Sequence, residues 1–310
     1  MLTYSMSKLV SIICPARDES DSVDALVDAM IKIRHDIRIA FNKKINLEFI
    51  IIDNASTDDT VEKIAEAVGS DNSFKIIRHL RNLGLQNSIL TGLKNANGDA
   101  AVILQFDLQD PPELIIEMVT RWLGGEKYII TQIKKRNSGF LDSFSRKVGY
   151  IFLNFVAGVK VVQNSGDFWL IDRRLIDQVV TFSSSRPFFR TILPKLRSAD
   201  SIIKYDRRER VSGSSNFNFL AKYEFFIDAV LSDPRRIAML FYMFSIFSSL
   251  VSFSAFLSSF FIAFGNSGTD LIIFFASLNL FMVTFCVEFL WRLYIESPNK
   301  QFSENQIIKK

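Results

Sequence analysis

The residues of this 310-residue chain best suited to chemistry stand at the end of a hydrophobic run, AVILQFDLQDPPE, from Ala101 to Glu113. Asp107 and Gln109 present two hard oxygen donors where a strand should stop. Such a pair suits Mg²⁺ or Mn²⁺, with substrate phosphates and water supplying the remaining ligands. A capping aspartate beside a turn needs no metal, so this spacing is a weak signal by itself. The chain has only two histidines, His35 and His79, which removes most zinc sites and His-based triads. Its two cysteines, Cys14 and Cys286, fall in an early apolar strand and a late apolar run, an arrangement that argues against a disulfide framework. The glycine spacings of a dinucleotide fingerprint or a P-loop are absent.

These residues need a scaffold that brings strand ends together. From Lys8 to about Ile133 short apolar runs alternate with amphipathic stretches, the pattern of βα units and a mainly parallel sheet. Strands are expected at 9–14, 47–53, 74–78, 100–106 and 127–133. Ser56 with Asp59 fits a helix capping box, as does Asp110 with Glu113, and Pro111 suits a first helical position. Ligands of open α/β sheets sit beyond the carboxyl ends of the strands, so Arg17, Asp18, Glu19, Asp53, Asn54, Asp107 and Gln109 should line one crevice.

The C-terminal third differs. Residues 237–264 and 271–287 carry no charge, and about 20 apolar helical residues cross a hydrocarbon core. A two-helix transmembrane hairpin is expected, with both ends on one side. Arg235 and Arg236 precede it, Arg292 and Lys300 follow it, and the connection GNSGTD has no Lys or Arg, so the globular part should face the cytoplasm. KYEFFIDAV, at 222–230, reads as an amphipathic helix in the headgroup region. The opening MLTYSMSKLVSIICP lacks the layout of a signal peptide and reads as a first strand. The polar tail from Pro298 is expected to be loose.

Taken in order, CPARDES, IIDNASTDDT, RNLGLQNSILTGL, GDAAVILQFDLQDPPE, SGDFWLIDRR, RRERVSGSSNF and VEFLWRLYIE resemble the motifs of glycosyltransferase family 2. The likeness is to its polyprenyl-phosphate branch, which holds bactoprenol glucosyltransferases and dolichol-phosphate mannosyltransferases. It implies an α/β fold of GT-A type over residues 1–218, with helices on both faces of the sheet. A juxtamembrane helix at 219–236, spans at 237–264 and 270–292, and a cytoplasmic tail at 293–310 would follow.

Position by position, the resemblance makes Pro15, Arg17, Glu19, Ile52, Asp53, Asn54, Ser56, Gln105 and Phe106 donor-binding. It gives Asp107 and Gln109 the metal, Mg²⁺ or Mn²⁺, and counts Asp107, Asp167 and the phosphate-holding Arg146 and Arg210 as catalytic. Gln105 and Asn54 stand where the family has aspartates. The implied reaction moves one sugar from a nucleotide sugar, most simply UDP-glucose, to undecaprenyl or another polyprenyl phosphate. It takes place at the inner membrane, in a homo-oligomer, with no nucleic acid partner. A hydroxyl acceptor and a degenerate donor-binding membrane scaffold stand as alternatives. A processive synthase would usually carry a Q-x-x-R-W motif and more spans, and neither is present.

Overall fold

The computed structural model describes residues 7–134, 154–155, 158–182, 187–208, 267–296 and 305–309, with part of 239–254. The chain begins with β1 (Lys8–Ala16), α1 (Val23–Ala40), β2 (Ile45–Asp53), α2 (Thr60–Val68), β3 (Phe74–His79), α3 (Leu85–Lys94) and β4 (Ala100–Ile103). It continues with α4 (Leu114–Leu123), β5 (Tyr128–Ile133), β6 (Ser165–Asp172), α5 (Arg173–Phe182), α6 (Phe189–Leu196) and β7 (Ser201–Tyr205). The last described elements are α7 (Ser267–Glu296) and β8 (Asn305–Lys309).

The eight strands form one sheet in the order β7-β5-β6-β4-β1-β2-β3-β8. β3, β2, β1 and β4 run parallel, β6 is antiparallel to both β4 and β5, and β7 is parallel to β5. β1 therefore has β2 on one side and β4 on the other, and the direction of winding reverses between β1 and β4. Such a reversal opens a crevice beyond the strand ends.

Both faces of the sheet are covered, because successive side chains of a strand point to opposite sides. Val10, Ile12 and Cys14 pack with Leu26 and Met30 of α1, Ile64 of α2 and Met118 of α4. Ile13, Ile50 and Ile52 pack with Ile89 and Leu93 of α3, Ile176 of α5 and Phe189 of α6. At Gly92 of α3 a Cβ would lie 2.2 Å from Cγ2 of Ile13. Any larger residue would push α3 off the sheet, an overpacking cost of roughly 1–3 kcal/mol.

Several expectations need correction. β4 ends at Ile103 rather than at residue 106, so Gln105, Phe106 and Asp107 lie in the loop beyond it. α4 starts at Leu114 without a side-chain cap; the amide of Leu114 instead bonds to the carbonyl of Pro111 at 3.1 Å. Asp110 turns away to accept a bond from the Tyr205 hydroxyl. At α2 Asp59 occupies the N-cap position rather than closing a box with Ser56, and it makes no side-chain cap bond; Asp58 Oδ1 accepts from the Thr60 amide at 3.1 Å. The tail is not wholly loose either. β8 pairs antiparallel with β3, Ile307 opposite Ile77 and Asn305 opposite His79, and covers that edge of the sheet.

α7 is a 30-residue helix, and its described side chains include the exposed Ile272, Phe275, Met282, Val283 and Val287. Thr284 hydrogen-bonds Ser245 at 3.1 Å, and Tyr242 lies against Phe281 with ring centroids 5.3 Å apart. Over the described residues alone, no helix is long and apolar enough to cross a membrane. Several α7 side chains, including those of 271, 274 and 277, fall outside that description. The expected juxtamembrane helix at 219–236 lies outside the described residues, as do 265 and 266 of the expected GNSGTD connection, whereas 267–270 of that connection form the first turn of α7.

Candidate active site

The crevice is built from the loops that follow β1, β2 and β4, closed by the start of β6 and the end of β7. Register sets their relative heights: Ala16 pairs with Asp53, and Ile13 with Ile103. The Leu104 amide extends the ladder to Ile13 at 2.9 Å and delivers Gln105 to Asp107 into the crevice. Three loop residues adopt positive φ without being glycine: Asp18 at 51°, Ala55 at 57° and Leu108 at 51°. Such conformations cost free energy and persist where surrounding contacts enforce them.

Those contacts are visible. Asp18 Oδ1 accepts from the Thr57 amide at 2.7 Å, and the Asp18 amide donates to Ser56 Oγ at 2.9 Å. Ser56 in turn donates to Asp53, which is fully buried and paired with Arg78 at 3.3 Å. Burial pushes the Asp53 carboxyl upward, although Ser56 and Arg78 pull against it. Pro15 and Ile52 are enclosed behind this layer, while Arg17 stands exposed beside Asp18 at 3.4 Å. The Glu19 amide is held by Thr60 Oγ1 at 2.9 Å.

Asn54, expected to contact the donor, has its side chain engaged within the protein. Its Oδ1 accepts from the Leu83 amide at 2.8 Å and faces His79 Nδ1 at 3.3 Å, while its Nδ2 donates to Asn82 at 2.7 Å. Because Oδ1 is an acceptor, His79 must carry its proton on Nδ1, leaving Nε2 to accept from Thr91 at 3.0 Å. Burial holds the imidazole below its usual range, which favours this neutral form. Asn54 thereby ties the tip of β2 to β3 and to the loop that starts α3. Gly84, the N-cap of α3, has φ of 83° and open space where a Cβ would project.

Asp107 is 7% exposed, and its Oδ1 accepts from the Gln109 amide at 3.2 Å. Phe106 is buried beside it. Gln105 Nε2 is the one buried side-chain nitrogen or oxygen among the described residues with no hydrogen-bond partner. Asp110 is buried and held by Tyr205 and by Arg207 Nε at 3.4 Å. Burial raises its carboxyl, with repulsion from Asp107 and Asp167 adding to that and Tyr205 and Arg207 opposing it.

Among the described residues, no three His, Cys, Asp or Glu side chains gather closely enough to hold a metal by themselves. One carboxylate followed by an amide nevertheless fits a hard cation that takes its other ligands from phosphate and water. Asp107 and Gln109 are the residues that would provide them.

The model of glycosyl transferase family 2 matches residues 11–180. The chain belongs to glycosyl transferase family 2. It is a glycosyltransferase, and its mostly parallel α/β sheet is GT-A-like. The putative glycosyltransferase CsbB of Bacillus subtilis is 24% identical over 322 residues, covering 97% of this chain and 96% of the relative. Bactoprenol glucosyl transferase of Shigella phage SfV is 24% identical over 300 residues, covering 94% and 96%. The crystal structure of a mycobacterial protein superposes with a TM-score of 0.50 at 16% identity over 73% of this chain and 75% of its own, a likeness of fold alone.

In this family 2 transferase Asp167, which the resemblance counts as catalytic, is joined by residues that were not singled out from sequence, Arg190 and Gln86, and Arg207 lies beside Asp107. Asp167, 5% exposed, accepts bonds from Arg190 Nε at 3.1 Å and Nη2 at 3.3 Å. Gln86 joins them, its Nε2 lying 3.5 Å from Asp167 while its Oε1 accepts from the Phe189 amide at 3.0 Å. Arg207 reaches Asp107 at 4.0 Å as well as Asp110. Arg190 sits on an amphipathic helix and Arg207 in a run of arginines, so charge pattern alone gave no reason to choose either. Arg146 and Arg210 lie outside the described residues.

Proposed function

We propose that this chain transfers a single sugar from a nucleotide sugar, most simply UDP-glucose, to undecaprenyl or a related polyprenyl phosphate at the cytoplasmic face of the inner membrane. The observation that carries this reading is the extent of the likeness to bactoprenol glucosyl transferase. It covers 94% of this chain, continuing well past residue 180, where the family domain ends, and into the apolar C-terminal region.

The site's chemistry supports the reading. A lipid phosphate is already anionic at neutral pH, so no side chain has to remove a proton from the acceptor. Asp167, held by Arg190, would orient groups in the site. The chain's task is to hold two anionic reactants in line for displacement at the anomeric carbon, with inversion. Asp107 and Gln109 would hold Mg²⁺ or Mn²⁺, which supplies positive charge for the departing nucleoside diphosphate. Gln105 offers its unpartnered amide to an oxygen of the donor. Arg146 and Arg210 take the phosphates, as the family resemblance implies, because a guanidinium fork meets phosphate oxygens in pairs.

The membrane assignment rests on α7 and the 237–264 run. At 1.5 Å per residue, 30 residues extend about 45 Å, beyond the ~30 Å hydrocarbon core. The exposed apolar side chains of α7 would be costly in water. A multi-pass arrangement with the domains drawn from sequence, and assembly as a homo-oligomer, belong to the same proposal.

The test is to incubate the purified full-length protein with radiolabelled UDP-glucose and undecaprenyl phosphate, then extract the lipid. Labelled glycolipid is expected, with Asp107→Ala lowering its formation at least about 100-fold, the scale of losing a charge-stabilising group. Donor binding without turnover over a panel of nucleotide sugars and polyprenyl phosphates would overturn the proposal.

A further inference from the structure

Arg207 is a cation placed against the carboxylates where a divalent ion would be received. It lies 4.0 Å from Asp107 and 3.4 Å from Asp110, and its side chain is 30% exposed, so it can move toward solvent. Its backbone is held close by: Tyr205, two residues earlier, is anchored to Asp110, and the Arg208 amide donates to the Gln109 carbonyl at 2.9 Å. The segment after β7 that carries Arg207 is thus stitched to the Asp107–Gln109 loop, while the guanidinium at its tip stays partly exposed.

We infer that Arg207 is a resident counter-cation that keeps the Asp107 site from holding a divalent ion by itself, so that the ion enters together with the donor's diphosphate. The inference rests on the assignment of Asp107 and Gln109 as metal ligands and adds an order to binding. A dication arriving alone meets a like charge already facing the carboxylates, and like charges a few ångströms apart repel in a partly buried site. An ion that arrives with a diphosphate brings its own negative charge. Arg207 can then swing from Asp107 to the phosphate oxygens, exchanging a 4.0 Å ion pair for a charge-assisted hydrogen bond. Asp110 remains held by Tyr205 throughout, which keeps the loop in place while Arg207 moves.

The experiment measures Mn²⁺ binding directly, from the free-ion electron paramagnetic resonance signal, with the full-length protein in detergent and with or without UDP. Arg207→Met is expected to bind Mn²⁺ alone at least tenfold more tightly than the parent, and Arg207→Lys to behave like the parent. With UDP present the advantage of Arg207→Met should shrink or reverse. Asp107→Asn should abolish Mn²⁺ binding in either background, and a thermal melt of each variant shows that it remains folded.

Equal or weaker binding of Mn²⁺ alone by folded Arg207→Met overturns the inference, yet leaves the metal assignment standing if Asp107→Asn still abolishes binding with UDP. Should the parent bind no Mn²⁺ even with UDP, or should Asp107→Asn bind it unchanged, the metal assignment fails and takes the inference with it.

Discussion

Replacing Arg190 by methionine should damage this protein more than replacing the aspartate it holds. Asp167 is 5% exposed and receives two bonds from one guanidinium, at 3.1 and 3.3 Å. Methionine keeps much of the arginine's bulk but leaves the carboxylate with Gln86, 3.5 Å away, as its remaining partner in this network. Breaking a buried ion pair from one side costs about 3–5 kcal/mol. Arg190 is 22% exposed, which allows some water to enter, so the lower end, ~3 kcal/mol, is expected. Asp167→Asn should cost ~1–2 kcal/mol, because the freed guanidinium can turn to solvent and the amide still accepts one bond.

The assay is chemical unfolding of the full-length protein in detergent, followed by the fluorescence of the buried Trp122 and Trp169. Both single variants and the double variant would be measured, so that the pair's coupling is separated from the other contacts of Arg190. The double variant should be less damaged than the sum of the singles. An Arg190→Met penalty below about 1 kcal/mol, or one no larger than that of Asp167→Asn, would refute the claim that this pair is buried and bidentate.

Asp200 accepts from Arg197 at 2.5 Å and from the amides of Lys127 and Tyr128 at 2.7 and 2.9 Å, and its carboxyl is drawn down to about 2, chiefly by Arg197. Its stabilisation is complete above its unfolded value near 4 and disappears as pH falls toward 2. Asp200→Asn should therefore cost about 1 kcal/mol at pH 7, after allowance for solvent screening, and flatten acid unfolding between those limits.

Asn54→Asp restores the carboxylate of the family's motif but sets it against Asn82 and His79; the expected penalty is ~1–3 kcal/mol at pH 9. The new charge raises the His79 value above its unfolded one, so its contribution is full below about pH 6.5 and fades as pH rises through the raised value. The measured penalty should be smaller at pH 6 than at pH 9, and a penalty independent of pH would contradict the network.

Truncation after Glu304 uncovers the β3 edge. Hydrogen exchange of the Ile76–His79 amides that face β8 should quicken roughly tenfold, and unchanged protection would show that the strand pairing does not form in solution.

Much of the architecture was legible because strand period and loop chemistry are local properties. LVSIIC, LEFIIID and FKIIR carry enough β-branched and aromatic residues to be strands wherever they are placed, and the loops between them carry the turn formers. The same locality marked Asp107 and Gln109, which lie two positions apart on one loop. Uncharged runs at 237–264 and 271–287 required nothing beyond counting.

Tertiary structure decided what depends on distant partners. It ended β4 at Ile103, because the pairing with β6 covers Ala100 to Val102 and the chain then turns into the crevice. It took Asp110 out of a capping role by offering it Tyr205, 95 positions away in sequence. It gave Asn54 to His79 and the Leu83 amide, and it set Arg190 on Asp167 and Arg207 on Asp107 and Asp110. It also brought the polar tail back as β8 onto β3.

The physical reason is common to all of these. A lone arginine, asparagine or aspartate has nearly the same local preferences whether it faces water, caps a helix or holds a buried charge. What it does is set by the free energy of leaving that charge or donor unpaired, and the partner that satisfies it is supplied by the folded chain.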